Sequence, residues 1–273
     1  MTEAPRKIML ITGASGGIGA ELARLAGQKG HDLALVARNR AALDALADEI
    51  AATPGRNLPR PLVFACDLAQ AGGPASVAAF LAEAGATPEI LVNNAGYGVL
   101  EAAVDGDAAE QLGMIDLNIH ALTELSLIFA PALIAARGKL LNVASLAAFM
   151  PGPGMAIYYA TKAYVLSFSE ALSAELAPRG VTVTALCPGP VPTGFQQRAR
   201  FGQAMKWMTL ASVPSSEVAR AAYEGMMAGK RIVLPGILTK IMAWSAPFTP
   251  KGLSLKIVAT LQMRRKTRES AQT

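Results

Sequence analysis

The chain has 273 residues, 52% apolar and only 16% charged, and its 25 basic against 20 acidic side chains give a formal charge of +5. That composition excludes intrinsic disorder, and the length suffices for one large α/β domain with a sizeable core. Cys66 and Cys187 stand far apart in apolar runs, and the histidines are His31 and His120 alone, so neither a disulfide scaffold nor a metal site is expected. A reducing cytoplasm is the expected compartment.

Charge is unevenly spread. From Lys230 to Thr273 nine Lys or Arg face one acid, Glu269, while the preceding residues hold 16 basic and 19 acidic groups. The basic character therefore belongs to the tail, and nothing in the main body marks a nucleic-acid surface. The opening MTEAPRK lacks the apolar stretch of a secretory signal. The uncharged window from Leu140 to Thr161 is 22 residues long, enough to span a bilayer. It contains Asn142, Pro151, Gly152, Pro153 and Gly154, a turn cluster that would break a spanning helix. It reads instead as a buried strand, a loop and a helix start.

In chain order, the first apolar run is Lys7 to Thr12 (KIMLIT), which leads directly into Thr12-Gly13-Ala14-Ser15-Gly16-Gly17-Ile18-Gly19 and a helical stretch over Ile18–Lys29. Glycines at such spacing let the backbone turn tightly and approach a pyrophosphate, and the helix N-terminus presents free N–H groups to it. A second strand, Asp32 to Ala37, ends in Val36-Ala37-Arg38-Asn39-Arg40. A carboxylate expected about 20 residues after the glycines for an NAD ribose is missing. Two guanidiniums stand there instead, complementary to the 2′-phosphate of NADP.

A helix over Arg40–Ala51 precedes strands at Leu62 to Cys66 and Ile90 to Val92, and Asn93-Asn94-Ala95-Gly96 follows the latter. Asn118 falls in a helical stretch near Ile115–Ala136. Ser145 follows a strand at Lys139 to Val143, and Tyr158-Tyr159-Ala160-Thr161-Lys162 opens a helix over Tyr158–Leu176. Val181 to Cys187 and Arg231 to Leu234 complete the apolar runs. Short continuous apolar strands alternating with helices predict a parallel sheet covered on both faces, a doubly wound α/β fold of Rossmann type. Between the last two strands, residues 190–214 bring Phe195, Phe201, Met205, Trp207 and Met208 together. They read as an apolar flap over a pocket at the carboxyl ends of the strands.

Residues 236–273 form a basic amphipathic extension beyond a domain of residues 1–235. The spacings Ile237-Ile241-Trp244 and Leu253-Ile257-Leu261, divided by Pro247 and Pro250, predict two short helices. Their apolar stripes are expected to pack on the core and help close the substrate pocket, with the cations facing water. The alternative is a surface that docks on anionic lipid.

TGxxxGxG, NNAG, Asn118, Ser145 and YxxxK occur together and in an order that resembles the short-chain dehydrogenase/reductase family over about Lys7 to Leu234. The resemblance implies that Tyr158 is the general acid, or the base in reverse. Lys162 would lower the phenol and bind the nicotinamide ribose; a shift from about 10 toward 7, roughly 4 kcal/mol, would come from this buried cation together with the oxidised nicotinamide. Ser145 would bond the substrate oxygen, and Asn118 would hold a water that relays protons through Lys162. It further implies that Gly13, Ser15, Gly17, Ile18, Gly19, Arg38, Asp67, Leu68, Asn94, Ala95, Gly96, Pro188, Gly189, Val191 and Thr193 line the cofactor, alongside Tyr158 and Lys162. Tyr159 would be an aromatic lining residue.

The expected activity is an NADP(H)-dependent carbonyl reductase or alcohol dehydrogenase. A dinucleotide-binding sensor or scaffold is the alternative, and it would be expected to lose Tyr158 or Lys162. Met150, Met155 and the flap point to an apolar carbonyl: a 3-oxoacyl thioester, a steroid-like ketone or a hydrophobic aldehyde. The resemblance implies a homodimer or homotetramer paired through the helices near Ile115–Ala136 and Tyr158–Leu176, and the alternative reading of the tail adds a peripheral contact with membrane.

Overall fold

The computed structural model describes residues 5–55, 57–192 and 212–262. Seven parallel strands form one sheet in the order β3-β2-β1-β4-β5-β6-β7. They are β1 (Arg6–Thr12), β2 (Leu33–Ala37), β3 (Leu62–Ala65), β4 (Ala86–Asn93), β5 (Lys139–Val143), β6 (Thr182–Leu186) and β7 (Ile232–Val233). From β1 the chain builds outward to β2 and β3, then returns and builds the other way from β4. That reversal opens a crevice at the carboxyl ends of β1 and β4, where open α/β sheets bind ligands.

Alternate residues of the central strands feed two cores. Met9 and Ile11 of β1 pack with α1 (Gly17–Gln28), α2 (Arg40–Ala51) and α7 (Ser215–Met227) through Leu22, Leu46, Ile50 and Met226. Ile8 and Leu10 pack on the opposite face against α3 (Gly73–Glu83), α5 (Leu122–Ala136) and α6 (Ala156–Leu176) through Val77, Leu81, Phe129 and Leu176. Burial on both faces explains why the strands read as continuous apolar runs.

The sequence places β4 too late. The strand expected at Ile90 to Val92 begins at Ala86, and Pro88 pairs with Ile8 where the register with β1 shifts. A proline, lacking an N–H, is tolerated at such an irregularity. The helices α3 and α7 also go beyond the predicted elements, whereas α2 keeps the predicted bounds.

Helix α4 (Ala108–Ile115) passes through a π turn, Asp116–Ala121, into α5. The resulting helix, Ala108–Ala136, is among the described residues the one long and apolar enough to cross a membrane. Its inward face, Leu125, Phe129 and Leu133, packs on the sheet. Buried amides align it: Asn93 Nδ2 donates to Ser126 Oγ and to Asn142 Oδ1, each at 3.0 Å, and Asn142 Nδ2 donates to Ser169 Oγ at 3.0 Å.

The extension forms α8 (Ile237–Ser245) and α9 (Lys251–Gln262), separated by a turn at Ala246–Phe248. The two helices lie where the prolines predict them, but the stripe is reversed. Ile237, Ile241 and Trp244 face outward, and Thr239 and Ala243 are buried.

A clamp at the crevice joins β1 to β4. Thr12 Oγ1 donates to Val92 O at 3.2 Å and accepts from Asn94 N at 3.0 Å and Ala95 N at 3.1 Å. Thr12→Val keeps the shape and leaves Ala95 N unpaired, worth about 1–3 kcal/mol, while Asn94 N keeps its bond to Val92 O at 3.1 Å. Chemical denaturation is expected to show a loss of about 1–3 kcal/mol. A loss below about 0.5 kcal/mol would contradict the clamp.

Candidate active site

The glycine turn is shaped by its neighbour Asn94. Asn94 Nδ2 donates to Thr12 O at 2.9 Å and Gly13 O at 3.2 Å. Gly13 has φ +65°, and a Cβ there would lie 2.7 Å from that amide nitrogen; one at Gly19 would lie 2.5 Å from it. Both positions therefore exclude a side chain. Gly16 differs, since a Cβ there would meet nothing within 4 Å. The space before it opens into the crevice, and α1 begins there with no side-chain cap and no acid in its first turn. Uncapped N–H groups facing open space fit a pyrophosphate.

The crevice is one cavity of about 530 Å³. It runs from Gly13, Ser15, Gly17 and Ile18, past Arg38, Asp67 and Leu68, to Asn94, Ala95 and Gly96, and then to Ser145, Tyr158, Lys162, Pro188, Gly189 and Val191. Gly19 lies behind the turn and Asn118 behind the cavity wall. Thr193 and most of the expected flap, residues 193–211, lie outside the described residues. The ends of that segment meet, with Val213 N donating to Pro190 O at 3.2 Å.

At the adenosine end the two guanidiniums part. Arg40 turns onto its own helix, 2.7 Å from Asp44, and does not line the cavity. Asn39 caps α2, accepting from Ala42 N at 3.1 Å. Arg38 stays at the cavity mouth, 58% exposed and 3.9 Å from the Asp67 carboxylate.

At the other end Lys162, only 5% exposed, donates from Nζ to Val143 O at 2.8 Å and lies 5.9 Å from the centre of the Tyr158 ring. Burial pushes the lysine down to about 8 and Tyr158 up to about 12, with a hydrogen bond to Ser145 pulling the phenol the other way. The lysine alone, without a nicotinamide beside it, does not depress the tyrosine. In the protein alone desolvation wins, because a neutral phenol needs no solvent shell. Cys187, buried behind the pair, is likewise pushed up to about 12 by desolvation.

Asn118 sits in the π turn with its side chain saturated. Oδ1 accepts from Tyr97 N at 3.1 Å, and Nδ2 donates to Tyr97 O at 2.9 Å and Thr161 Oγ1 at 3.1 Å. The side chain thus fixes the loop after β4. Ser145 caps a short turn, its Oγ accepting from Ala147 N at 3.1 Å, and the same hydroxyl is hydrogen-bonded to the Tyr158 phenol.

The extension supplies part of the wall, as expected of helices that help close the pocket. Leu238, Thr239, Met242, Val258 and Gln262 line the cavity. A Cβ at Gly189 would lie 2.6 Å from Thr239 Oγ1, so α8 packs directly on the turn after β6. Gln262 Nε2 donates to Tyr159 Oη at 2.7 Å, and its buried Oε1 has no partner among the described residues.

Comparison with known proteins agrees with this geometry. The family model for short chain dehydrogenases matches residues 7–204. The chain belongs to the short-chain dehydrogenase/reductase family. A relative from Staphylococcus epidermidis, described as an uncharacterized oxidoreductase, is 31% identical over 76% of this chain and 87% of its own. A short-chain dehydrogenase from Sphingobium yanoikuyae, solved in complex with NADPH, is 33% identical with a TM-score of 0.77, covering 89% of this chain and 93% of that one. The bulky-bulky ketone specific alcohol dehydrogenase from Comamonas testosteroni is 32% identical with a TM-score of 0.71, covering 86% and 87%. Family members are oxidoreductases with a nicotinamide cofactor, and this site has the residues for one.

The direction of the Tyr158 shift is open to test. In a spectrophotometric titration of the cofactor-free protein, subtracting the Tyr158→Phe variant is expected to show no phenolate from Tyr158 at about pH 10. A midpoint below about 9 would contradict the desolvated environment.

Proposed function

We propose that the protein is an NADP(H)-dependent carbonyl reductase, running as an alcohol dehydrogenase in reverse, on a bulky apolar carbonyl compound. One observation carries the reading: a single cavity joins the glycine turn and Arg38 to the buried Tyr158–Lys162 pair and to an apolar wall. The NADPH-bound relative from Sphingobium and the bulky-ketone enzyme from Comamonas support the cofactor and substrate classes.

When bound, the nicotinamide supplies a hydride to the carbonyl carbon or accepts one from the alcohol. The main-chain N–H groups around Ser15, Gly17 and Ile18 hold the pyrophosphate. Arg38, loosely paired with Asp67, swings to the 2′-phosphate, while Asp67 and Leu68 flank the adenine. Asn94, Ala95 and Gly96 line the path to the nicotinamide, and Pro188, Gly189, Val191 and Thr193 fix its carboxamide end. Ser145 exchanges its bond to the phenol for one to the substrate oxygen, and Tyr158 passes its phenolic proton to the same atom. Lys162 holds the nicotinamide ribose and, through its charge, steadies the phenolate left behind. Asn118 sets the π turn whose main chain holds the relay water.

Met150, Met155, Met242 and Val258 exclude water from the substrate half. Copies of the chain associate through the outward face of α4, α5 and α6, where Leu112, Leu127 and Tyr164 are exposed.

Two experiments test the reading. Arg38→Ser removes one charge-assisted contact and should weaken NADPH by about 10–100-fold, with little change for NADH. Equal affinities for both cofactors in the unmodified protein would contradict the NADP assignment. Tyr158→Phe should keep NADPH binding and lose about 10²–10⁴-fold in turnover, and Tyr159→Phe far less. The reverse pattern would place the proton on the wrong tyrosine.

A further inference from the structure

The outward side of the extension is apolar where a surface helix is ordinarily polar. Of the 14 large apolar side chains exposed among the described residues, eight lie between Ile237 and Ile257. Ile237, Ile241, Trp244 and Phe248 fall along one side, with Trp244 74% and Phe248 86% exposed. Leu253, Leu255 and Ile257 continue the exposed set on α9.

The charges among them have one sign. Lys240, Lys251 and Lys256 are exposed, and no Asp or Glu occurs from residue 236 to residue 262. Lys251 opens α9, the end where the helix dipole disfavours a cation, and no acid shares its turn. In sequence, Arg264, Arg265, Lys266 and Arg268 follow. An aromatic and aliphatic face studded with cations and lacking acids is complementary to an anionic lipid surface.

We propose that α8 and α9 dock on an anionic membrane surface, with Trp244 and Phe248 entering the headgroup boundary and the lysines meeting lipid phosphates. The opposite sides of these helices carry Thr239, Met242, Val258 and Gln262 into the cavity wall. Docking therefore sets that wall against the bilayer. In combination with the function proposed above, it assigns the substrate to lipid-soluble carbonyl compounds taken from the membrane. A second copy is a poorer occupant, because cations without acids repel their own image across a two-fold contact.

The test uses the full chain and vesicles of phosphatidylcholine, with or without phosphatidylglycerol, in a sedimentation assay. The chain is expected to sediment with the anionic vesicles at low salt, to be released at high salt, and to ignore neutral vesicles. Neutralising Lys240, Lys251 or Lys256 to Gln should weaken binding by roughly fivefold each. Trp244→Glu with Phe248→Glu should weaken it more than about tenfold, and turnover of a water-soluble ketone should stay unchanged. If that double variant fails to fold, the lysine variants decide, since they keep the apolar face.

Absence of anionic binding at low salt, equal binding to neutral vesicles, or indifference to the lysine changes would overturn the proposal. So would self-association that competes with vesicles and is lost in Trp244→Glu. A chain that reduces ketones and ignores vesicles overturns the docking alone. One that binds vesicles and reduces nothing overturns the reading of the cavity alone.

Discussion

Burying an ammonium group is costly unless something polar meets it, and the site is arranged around that cost. Lys162 lies in α6 beneath the sheet edge, and the group that meets its Nζ is the carbonyl of Val143, the last residue of β5, at 2.8 Å. The end of β5 must therefore stay where it is, and Ser145 follows two residues on. The same helix carries Thr161, which receives the Asn118 amide and so binds α6 to the π turn and to the loop after β4. A charged group in a dry place thus orders three elements around one reacting position.

The same dryness sets the protonation states. Desolvation holds Tyr158 neutral, at about 12, and leaves Lys162 charged with little margin, at about 8. A neutral phenol beside a cation is the state required to donate a proton to a carbonyl oxygen. The phenolate required for the reverse reaction gains its stabilisation only when further positive charge is placed nearby. The protein alone therefore holds the phenol in its proton-bearing form.

Much of this was legible in the sequence because it depends on local spacing. The glycine turn follows β1 directly, Tyr158 and Lys162 stand one helical turn apart, and the apolar strands read plainly because both faces are buried. What escaped depends on distance. The contact between Gln262 and Tyr159 joins residues 103 apart and has no local signature. The division of labour between Arg38 and Arg40 follows from where Asp44 projects on α2. The outward turn of Trp244 reverses the ordinary rule that an apolar stripe is core, because small and short side chains, Thr239 and Ala243, suit the close approach to Gly189 better.

The account rests on the buried ammonium, and its most direct test is Lys162→Met, which keeps the length and apolar stem while removing the charge. Single-turnover reduction of a bulky aryl ketone by NADPH, followed by the loss of its absorbance, should slow by about 10²–10⁴-fold while the protein remains folded. Turnover within about threefold of the unmodified protein would contradict a site organised by that charge.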